Sequence, residues 1–464
     1  MRTNTSFDAG SLILINKIDK EFKFFDSVLN GIIGKTKHLK QSVKVFVYNR
    51  LSKCVSLKKI NQIYPIECFE SLGFKEAPKD RTLNRDLERV GAKYQFVIKN
   101  YQNLIGNRKM VSLEQFIDWS SSYFEGKKAE LGEVGYSRDH QPGKKQITLG
   151  ISIGENEIPT SLTIQKGNVN DVTHFNSMLK IAKKILNAGS ILIFDCGANS
   201  KKNKKKIRKL GYNYLTLRQK KRDTYRRYID LFKESEKEII CVGNRRYKSV
   251  KITEKGEVKY IFYSKKLYKE QIRKRKKQFK KALEKNKVIL KKVKKGKEIK
   301  RLVSDEGLII MKGAIQKNLF EIKNPFITGL EGYFILESSV DDESHNILKL
   351  YKKKDIAEKL IRDMKEGSEL RPMRHWSRLA IFGYLVIVFL TNCLVSLAHF
   401  LSKDSVVKNL KLLKKFLNNL TVTFIYPANG LRYEVLSNIK PETISILGDS
   451  INQFREKPPN WAEK

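Results

Sequence analysis

Between residues 110 and 220 the apolar positions come in short runs rather than at helical spacing. Gln115 to Phe124 is one such run, with Asp118 set inside it, and Gln146 to Ile153 and Ile158 to Gln165 follow. Runs of this length and composition predict strands. After a turn at Gly167-Asn168, Phe175, Met178, Leu179, Ala182 and Ile185 recur at helical spacing, with Asp171 as the expected cap. Ser190 to Asp195 predicts a strand ending in an acid, Ser200 to Leu210 a helix, and Tyr212 to Arg218 a closing strand. Three strands, helix, strand, helix, strand is the order of an α/β domain with a mixed sheet, and such domains place their sites at strand ends.

Residues 1–105 read instead as helical and basic, with apolar spacing of the helical kind over Phe22 to Ile33, Gln41 to Leu51 and Ser56 to Ile63. A helix ending at Gly73 is followed by Asp80 and Thr82 as caps for a short helix closed by Gly91. That second helix presents Arg81, Asn84, Arg85 and Arg89, as a helix-turn-helix DNA reader would, although any small helical bundle reads the same way. Residues 221–328 change again: strands are expected at Glu238 to Val242, Lys248 to Thr253 and Val258 to Tyr263, then a very basic helix from Lys269 to Lys285. Further strand-like pieces follow at Arg301 to Val303 and Gly307 to Ile315. Leu379 to Leu401 is apolar and long enough to span a membrane. Asn392, Ser396 and His399 interrupt it, and a helix apolar all round is equally the central helix of a large folded domain. The chain beyond 404 reads as helical to about Asn419 and mixed after it, so the expected segments are 1–105, 106–220, 221–328, 329–403 and 404–464.

Charge narrows the partners. The 464 residues hold 93 Lys and Arg against 49 Asp and Glu, a formal +44, and the excess is spread along the chain. Such a field favours a polyanion, either nucleic acid or an anionic membrane surface. A 41% hydrophobic content excludes a disordered basic protein. Cys54, Cys68, Cys196, Cys241 and Cys393 make no CxxC pair and no zinc spacing, which fits free thiols in a reducing cytoplasm. The first ten residues, MRTNTSFDAG, hold no apolar signal region.

The stretch richest in candidate chemistry is Tyr351 to Lys365. Wound as one helix at about 100° per residue, it places Tyr351, Lys354, Glu358, Arg362 and Lys365 on one stripe. Ile356, Ala357, Leu360, Ile361 and Met364 fall on the opposite stripe, facing a core. A solvated face stitched by pairs such as Glu358–Arg362 accounts for this pattern. So does a carboxylate that binds a metal ion while the surrounding cations bind phosphates.

The spacing Tyr351-x2-Lys354-x3-Glu358-x6-Lys365 resembles the Tyr-x2-Arg-x3-Glu-x6-Lys signature of a family of bacterial and archaeal insertion-sequence transposases of the DDE class. Lys354 stands where that family usually has Arg, which keeps the charge and loses the planar fork. Upstream, Asp118-Trp-Ser120 resembles the family's first-strand Asp-x-Thr/Ser. Gly135-Tyr-Ser-Arg-Asp-His140 and Lys166-Gly-Asn-Val-Asn-Asp171 resemble its next two segments. Ile193-Phe-Asp195-Cys-Gly197 resembles the segment bearing its second catalytic Asp, with Cys196 in place of a common Arg. Glu331 to Ser339 and Leu370-Arg-Pro-Met-Arg-His-Trp376 resemble the last strand and the segment after the signature helix.

The resemblance implies an RNase H-like mixed sheet with flanking helices in two halves, 106–220 and 329–403. A β-rich insertion domain (221–328) would interrupt it, after an N-terminal helical DNA-binding domain. It implies Asp118, Asp195 and Glu358 as catalytic residues and as ligands of two Mg²⁺ ions about 3.5–4 Å apart, with Mn²⁺ as a substitute. Tyr351, Lys354, Arg362 and Lys365 would then position the DNA backbone, with Arg81, Arg85, Arg273 and Arg275 as further DNA contacts. The activity expected is cut-and-paste transposition: cleavage at the transposon ends, then attack of the freed 3′-hydroxyl on target DNA. Terminal inverted repeats and target DNA would be the partners, a homodimer the working assembly, and a prokaryotic nucleoid in the cytoplasm the location, with no membrane. Three other readings stay open on the residues alone: a nuclease on the same fold that cuts without joining, an inactive DNA-binding relic or regulator, and a basic protein anchored in a membrane through 379–401.

Overall fold

The computed structural model describes residues 3–32, 38–293, 324, 326–402, 409–427 and 432–454. The strand-like pieces expected at 301–303 and 307–315 lie outside the described residues. The chain divides into two compact units, one of Met1–Asn213 with Lys353–Lys464 and one of Tyr214–Lys352.

The first unit opens with β1 (Thr5–Asp8), α1 (Gly10–Phe22), α2 (Phe24–Val28), α3 (Leu39–Leu51), α4 (Ile60–Ile63), α5 (Ile66–Ser71), α6 (Asp80–Ala92) and α7 (Tyr94–Asn107). The three expected strands then appear as β2 (Glu114–Tyr123), β4 (Lys145–Gly154) and β5 (Pro159–Lys166), with a two-residue β3 (Glu133–Val134) that was not expected between the first two. They are followed by α8 (Asp171–Ala182), β6 (Ile191–Phe194) and α9 (Lys201–Lys209). β4 lies between β2 and β5 and is antiparallel to both, whereas β6 runs parallel to β2. This mixed sheet is covered on its faces, and β2 and β4 are accordingly buried almost throughout. Asp118 is the break in the buried run of β2, between Phe116-Ile117 and Trp119. Two details correct the sequence reading. The side chain that caps α8 is Asn170, which accepts from the Thr173 amide, while Asp171 pairs with Arg138. Neither Asp80 nor Thr82 caps α6, whose N-cap is Lys79.

The second unit holds β7 (Asn213–Leu217), α10 (Arg222–Glu234), β8 (Glu238–Val242), β9 (Arg245–Glu254), β10 (Glu257–Tyr263), α11 (Lys265–Val293), β11 (Tyr333–Ser338) and α12 (Ser344–Lys352). β8, β9 and β10 form an antiparallel meander, and β11 pairs antiparallel with β10 on one side and β7 on the other. The β9–β10 hairpin turns at Lys255-Gly256, both at positive φ, the conformation that matches the strands' right-handed twist. Tyr225, Tyr228, Ile229 and Phe232 of α10 pack on Val250, Ile261 and Ile335 to make this unit's core.

The chain returns to the first unit with α13 (Asp355–Arg362), a π-helical turn at Asp363–Gly367, α14 (Arg378–Leu401), α15 (Leu410–Asn419), β12 (Thr421–Ile425), β13 (Tyr433–Ser437) and α16 (Pro441–Leu447). β12 pairs with β1 and β13, so the N-terminal region is not purely helical: its first strand joins a sheet built from the last segment. Helix α14 is the apolar run, and 83% of its most apolar window is buried inside the protein. Its crossing with α6 shows why it sits there. A Cβ on Gly91 would meet the Leu379 carbonyl oxygen at 1.8 Å, and one on Gly383 would meet that of Leu87 at 2.1 Å. Each helix gives up a side chain so that the other's backbone can approach. Gly91 is therefore a packing residue inside α6, not its terminator.

The expected single helix over Tyr351–Lys365 is broken. α12 ends at Lys352, Lys353 and Lys354 form a turn, and α13 starts at Asp355. The three successive lysines at the break take separate directions and partners. The break sends them apart: Lys352 donates to the Val242 carbonyl at 3.0 Å, Lys353 pairs with Glu155, and Lys354 turns inward.

Candidate active site

Strand register brings the first two acids together. Gln115 and Phe116 of β2 lie beside Leu192 and Ile193 of the parallel β6. Two residues further along each chain come Asp118 and, just past the end of β6, Asp195. Neighbouring strands run about 4.8 Å apart, so parallel register alone makes the two carboxylates near neighbours. α13, whose apolar face buries Ala357, Leu360 and Ile361, packs on β2 and β4 and carries Glu358 on its outer side.

The Lys354 ammonium lies among all three acids, 3.0 Å from Asp195 Oδ2, 3.3 Å from Glu358 Oε1 and 3.7 Å from Asp118 Oδ1. The Trp119 amide donates a further hydrogen bond to Asp118 Oδ1 at 2.9 Å. Exposure grades outward, with side chains 16% accessible at Asp118, 44% at Asp195 and 61% at Glu358. The acids thus run from floor to rim of an open site. Burial, only partly offset by Lys354 and reinforced by Asp195 and Glu358, pushes the Asp118 carboxyl up to about 6. Burial alone would lower the Lys354 ammonium, but Asp118, Asp195 and Glu358 outweigh it and the net shift is upward.

This oxygen-only donor set suits a hard divalent cation, which takes one or two carboxylates and completes its shell with water and phosphate oxygens. Among the described residues no three ligating side chains stand at metal-binding spacing, because the ammonium lies between the acids. The fit is one of chemistry: three carboxylates share one monovalent cation, and Asp118 is raised in part by the other two.

The other candidate residues fall in several places. Lys365 is buried, donating to Asp139 Oδ1 at 2.7 Å, and Arg371 donates to the same oxygen at 2.7 Å. Arg362 is exposed on α13, and Arg81 and Arg85 are exposed on α6, while Arg89 pairs with Asp86 at 3.0 Å. Tyr351 is half-buried at the end of α12, and Arg273 and Arg275 are exposed on α11. The structure thus gathers Asp118, Asp195, Glu358 and Lys354, and leaves Lys365 in a separate buried cluster. That cluster was missed in the sequence, since Asp139 and Arg371 belong to distant motifs with no periodicity linking them. The exposed cations of α9, including Lys201, Lys202 and Lys205, begin six residues after Asp195 and were not singled out in the sequence, although their density was readable.

No curated protein matches the chain. A solved structure, the cryo-EM structure of the piggyBac transposase synaptic complex with hairpin DNA, is similar at 12% identity with a TM-score of 0.42, over 89% of this chain and 78% of that one. The model of the transposase DDE domain matches residues 112–394, more than half of the sequence and a span that holds Asp118, Asp195, Lys354 and Glu358. The chain belongs to the DDE transposase family.

Proposed function

We propose that this protein is a cut-and-paste DNA transposase of an insertion sequence, with Asp118, Asp195 and Glu358 as its catalytic carboxylates on an RNase H-like core. The observation that supports this most is the convergence of acids from β2, the end of β6 and α13 on one ammonium. A structural ion pair needs one acid per cation. Three acids around one cation, on a chain carrying +44, mark a place where negative charge is kept deliberately.

The three carboxylates would hold Mg²⁺ or Mn²⁺, which supplies a polarised phosphodiester, an activated attacking oxygen and a stabilised leaving oxygen. The chain's own residues set the stage. Lys354 holds the acids together against their mutual repulsion. Burial around Asp118 keeps that side of the site dry, while Glu358 stands at the solvent side from which a DNA strand approaches. The exposed cations of α9 and α11 bind backbone phosphates and carry no sequence information, so recognition of the transposon ends rests on α6, through Arg81 and Arg85. Two ends cut by two equivalent sites call for a homodimer in the synaptic complex.

The test is incubation of the full chain with linear DNA bearing the element's terminal repeats, a target plasmid and Mg²⁺. Cleavage at the repeats followed by joined product supports the reading. Cleavage without joining reduces the protein to a nuclease, and binding without cleavage to a regulator.

A further inference from the structure

A second polar site lies within the first unit, away from the acids. α3, α6, α14 and the Leu370–Trp376 segment enclose a cleft of about 330 Å³. Its floor is Arg50, which is 8% exposed. The guanidinium donates to the Tyr384 hydroxyl at 3.0 Å, the Val55 carbonyl at 3.0 Å and the Ser368 carbonyl at 3.4 Å, and it lies over the Tyr384 ring. No carboxylate pairs with it among the described residues. A buried cation left without an anion is costly, so a site of this kind calls for an anion from outside.

The rest of the lining answers to the same ligand. Lys58 and Arg374 are exposed beside the cleft and have no acidic partner among the described residues. Asn84 adds donor and acceptor groups. Arg371 also faces the cleft, but Asp139 and Glu366 already neutralise it. The acid of the lining, Glu369, is exposed, and its backbone carbonyl accepts from Tyr384. Trp376 is 62% exposed, an unusual position for the largest apolar side chain. His375, held down to about 4 by burial and then by the Arg50 cation, packs its neutral ring against Tyr384, with centroids 4.8 Å apart, and adds no charge to the lining.

Cations beside exposed aromatic faces are the elements from which proteins build platforms for single-stranded nucleic acid. The volume admits one small ligand of about the size of a single nucleotide. We propose that this cleft binds one nucleotide of a single DNA strand, its phosphate on Arg50, Lys58 and Arg374 and its base against Trp376. The inference rests on the reading of the protein as one that handles DNA. The cleft then serves as an anchor for a strand end: Met373, between the lining residues Pro372 and Arg374, hydrogen-bonds through its amide to the Tyr123 carbonyl, at the end of the strand that carries Asp118.

The test is binding of a short fluorescent oligothymidylate to the full chain without divalent metal, followed by anisotropy. Arg374→Ala and Trp376→Leu alter exposed side chains and leave the core intact. Each should weaken binding about tenfold, while Lys20→Ala, a charge loss on α1, should not. Arg374→Ala should also lower the slope of log affinity against log salt by about one. Unchanged affinity in both variants overturns the proposal, as does equal competition by polyglutamate, which would make the cleft a peptide site. Arg374 and Trp376 dependence without wild-type cleavage keeps the cleft and removes the transposase reading. Wild-type cleavage without that dependence removes the cleft alone.

Discussion

Two clusters in the same unit use the same residue types in opposite proportions. Around Lys354, three carboxylates share one ammonium and the group opens to solvent. Around Asp139, two cations share one carboxylate whose side chain is wholly buried, and one of them, Arg371, reaches out to Glu366. Lys354 and Lys365 are both cations of the sequence signature, yet one sits in an excess of negative charge and the other supplies an excess of positive charge. The buried cluster is closed to solvent at Asp139 and Lys365 and ties the loop of Asp139 to Lys365 and Arg371 through Oδ1 alone, with Oδ2 buried and without a hydrogen-bond partner. The open cluster lacks positive charge, and under the proposed reading a divalent cation would supply it.

The comparison breaks most sharply on the acids. Asp118→Ala, Asp195→Ala and Glu358→Ala should each lower Mg²⁺-dependent DNA cleavage by on the order of a thousandfold, with the melting temperature little changed. A gel assay and a thermal melt on the same preparations check both halves. Asp139→Ala should do the reverse and cost about 3–5 kcal/mol of stability, because it strands the buried Lys365 without its anion, while Arg371 keeps Glu366. Urea denaturation reads this directly, and a loss under 1 kcal/mol would mean the cluster is not closed as described.

A third buried group, His174, sharpens the contrast because it carries no charge at neutral pH. Its ring nitrogens face Thr163 Oγ1 at 2.8 Å and Thr148 Oγ1 at 3.4 Å, and burial, aided by Arg138, holds it down to about 4. A folded pKa below the unfolded value of about 6.5 means that protons favour the unfolded chain. Its stabilising contribution is complete above pH 6.5 and is lost as pH falls toward 4. At pH 5 the loss should be about 2 kcal/mol. His174→Gln should flatten that part of a stability–pH curve.

The smallest effect belongs to Lys354→Met. Losing the shared ammonium leaves the acids repelling one another, so stability should fall by about 1 kcal/mol at low salt. Added Mg²⁺ should then raise the melting temperature of the variant more than that of the wild type. An equal response in both would show that the ammonium and the metal do not compete for the same charge.

Much of this architecture was legible because burial leaves periodic traces. β2, β4, β5 and β6 appear where apolar runs predicted them, since central strands must be apolar to be covered on both faces. Asp118 and Asp195 stood out by interrupting and ending such runs, whereas Glu358 was legible only through its place on the polar stripe and the signature spacing. The break at Lys353-Lys354 was not legible, because apolar spacing continues across it and only the third dimension shows where each lysine finds its acid. Composition could not place α14, which satisfies the length rule for a membrane span. Its position follows from Gly91 and Gly383, whose meaning depends on knowing that their helices cross. Four-residue β1 was missed because its partner β12 lies more than 400 residues away.

The central claim is that Asp118, Asp195 and Glu358 together form a divalent-cation site. Isothermal titration of Mn²⁺ into the wild-type chain and the three single alanine variants tests it without relying on DNA chemistry. The account predicts saturable binding to the wild type and at least a tenfold loss of affinity in every variant. Mn²⁺ binding that survives unchanged in Asp118→Ala and Asp195→Ala would contradict it.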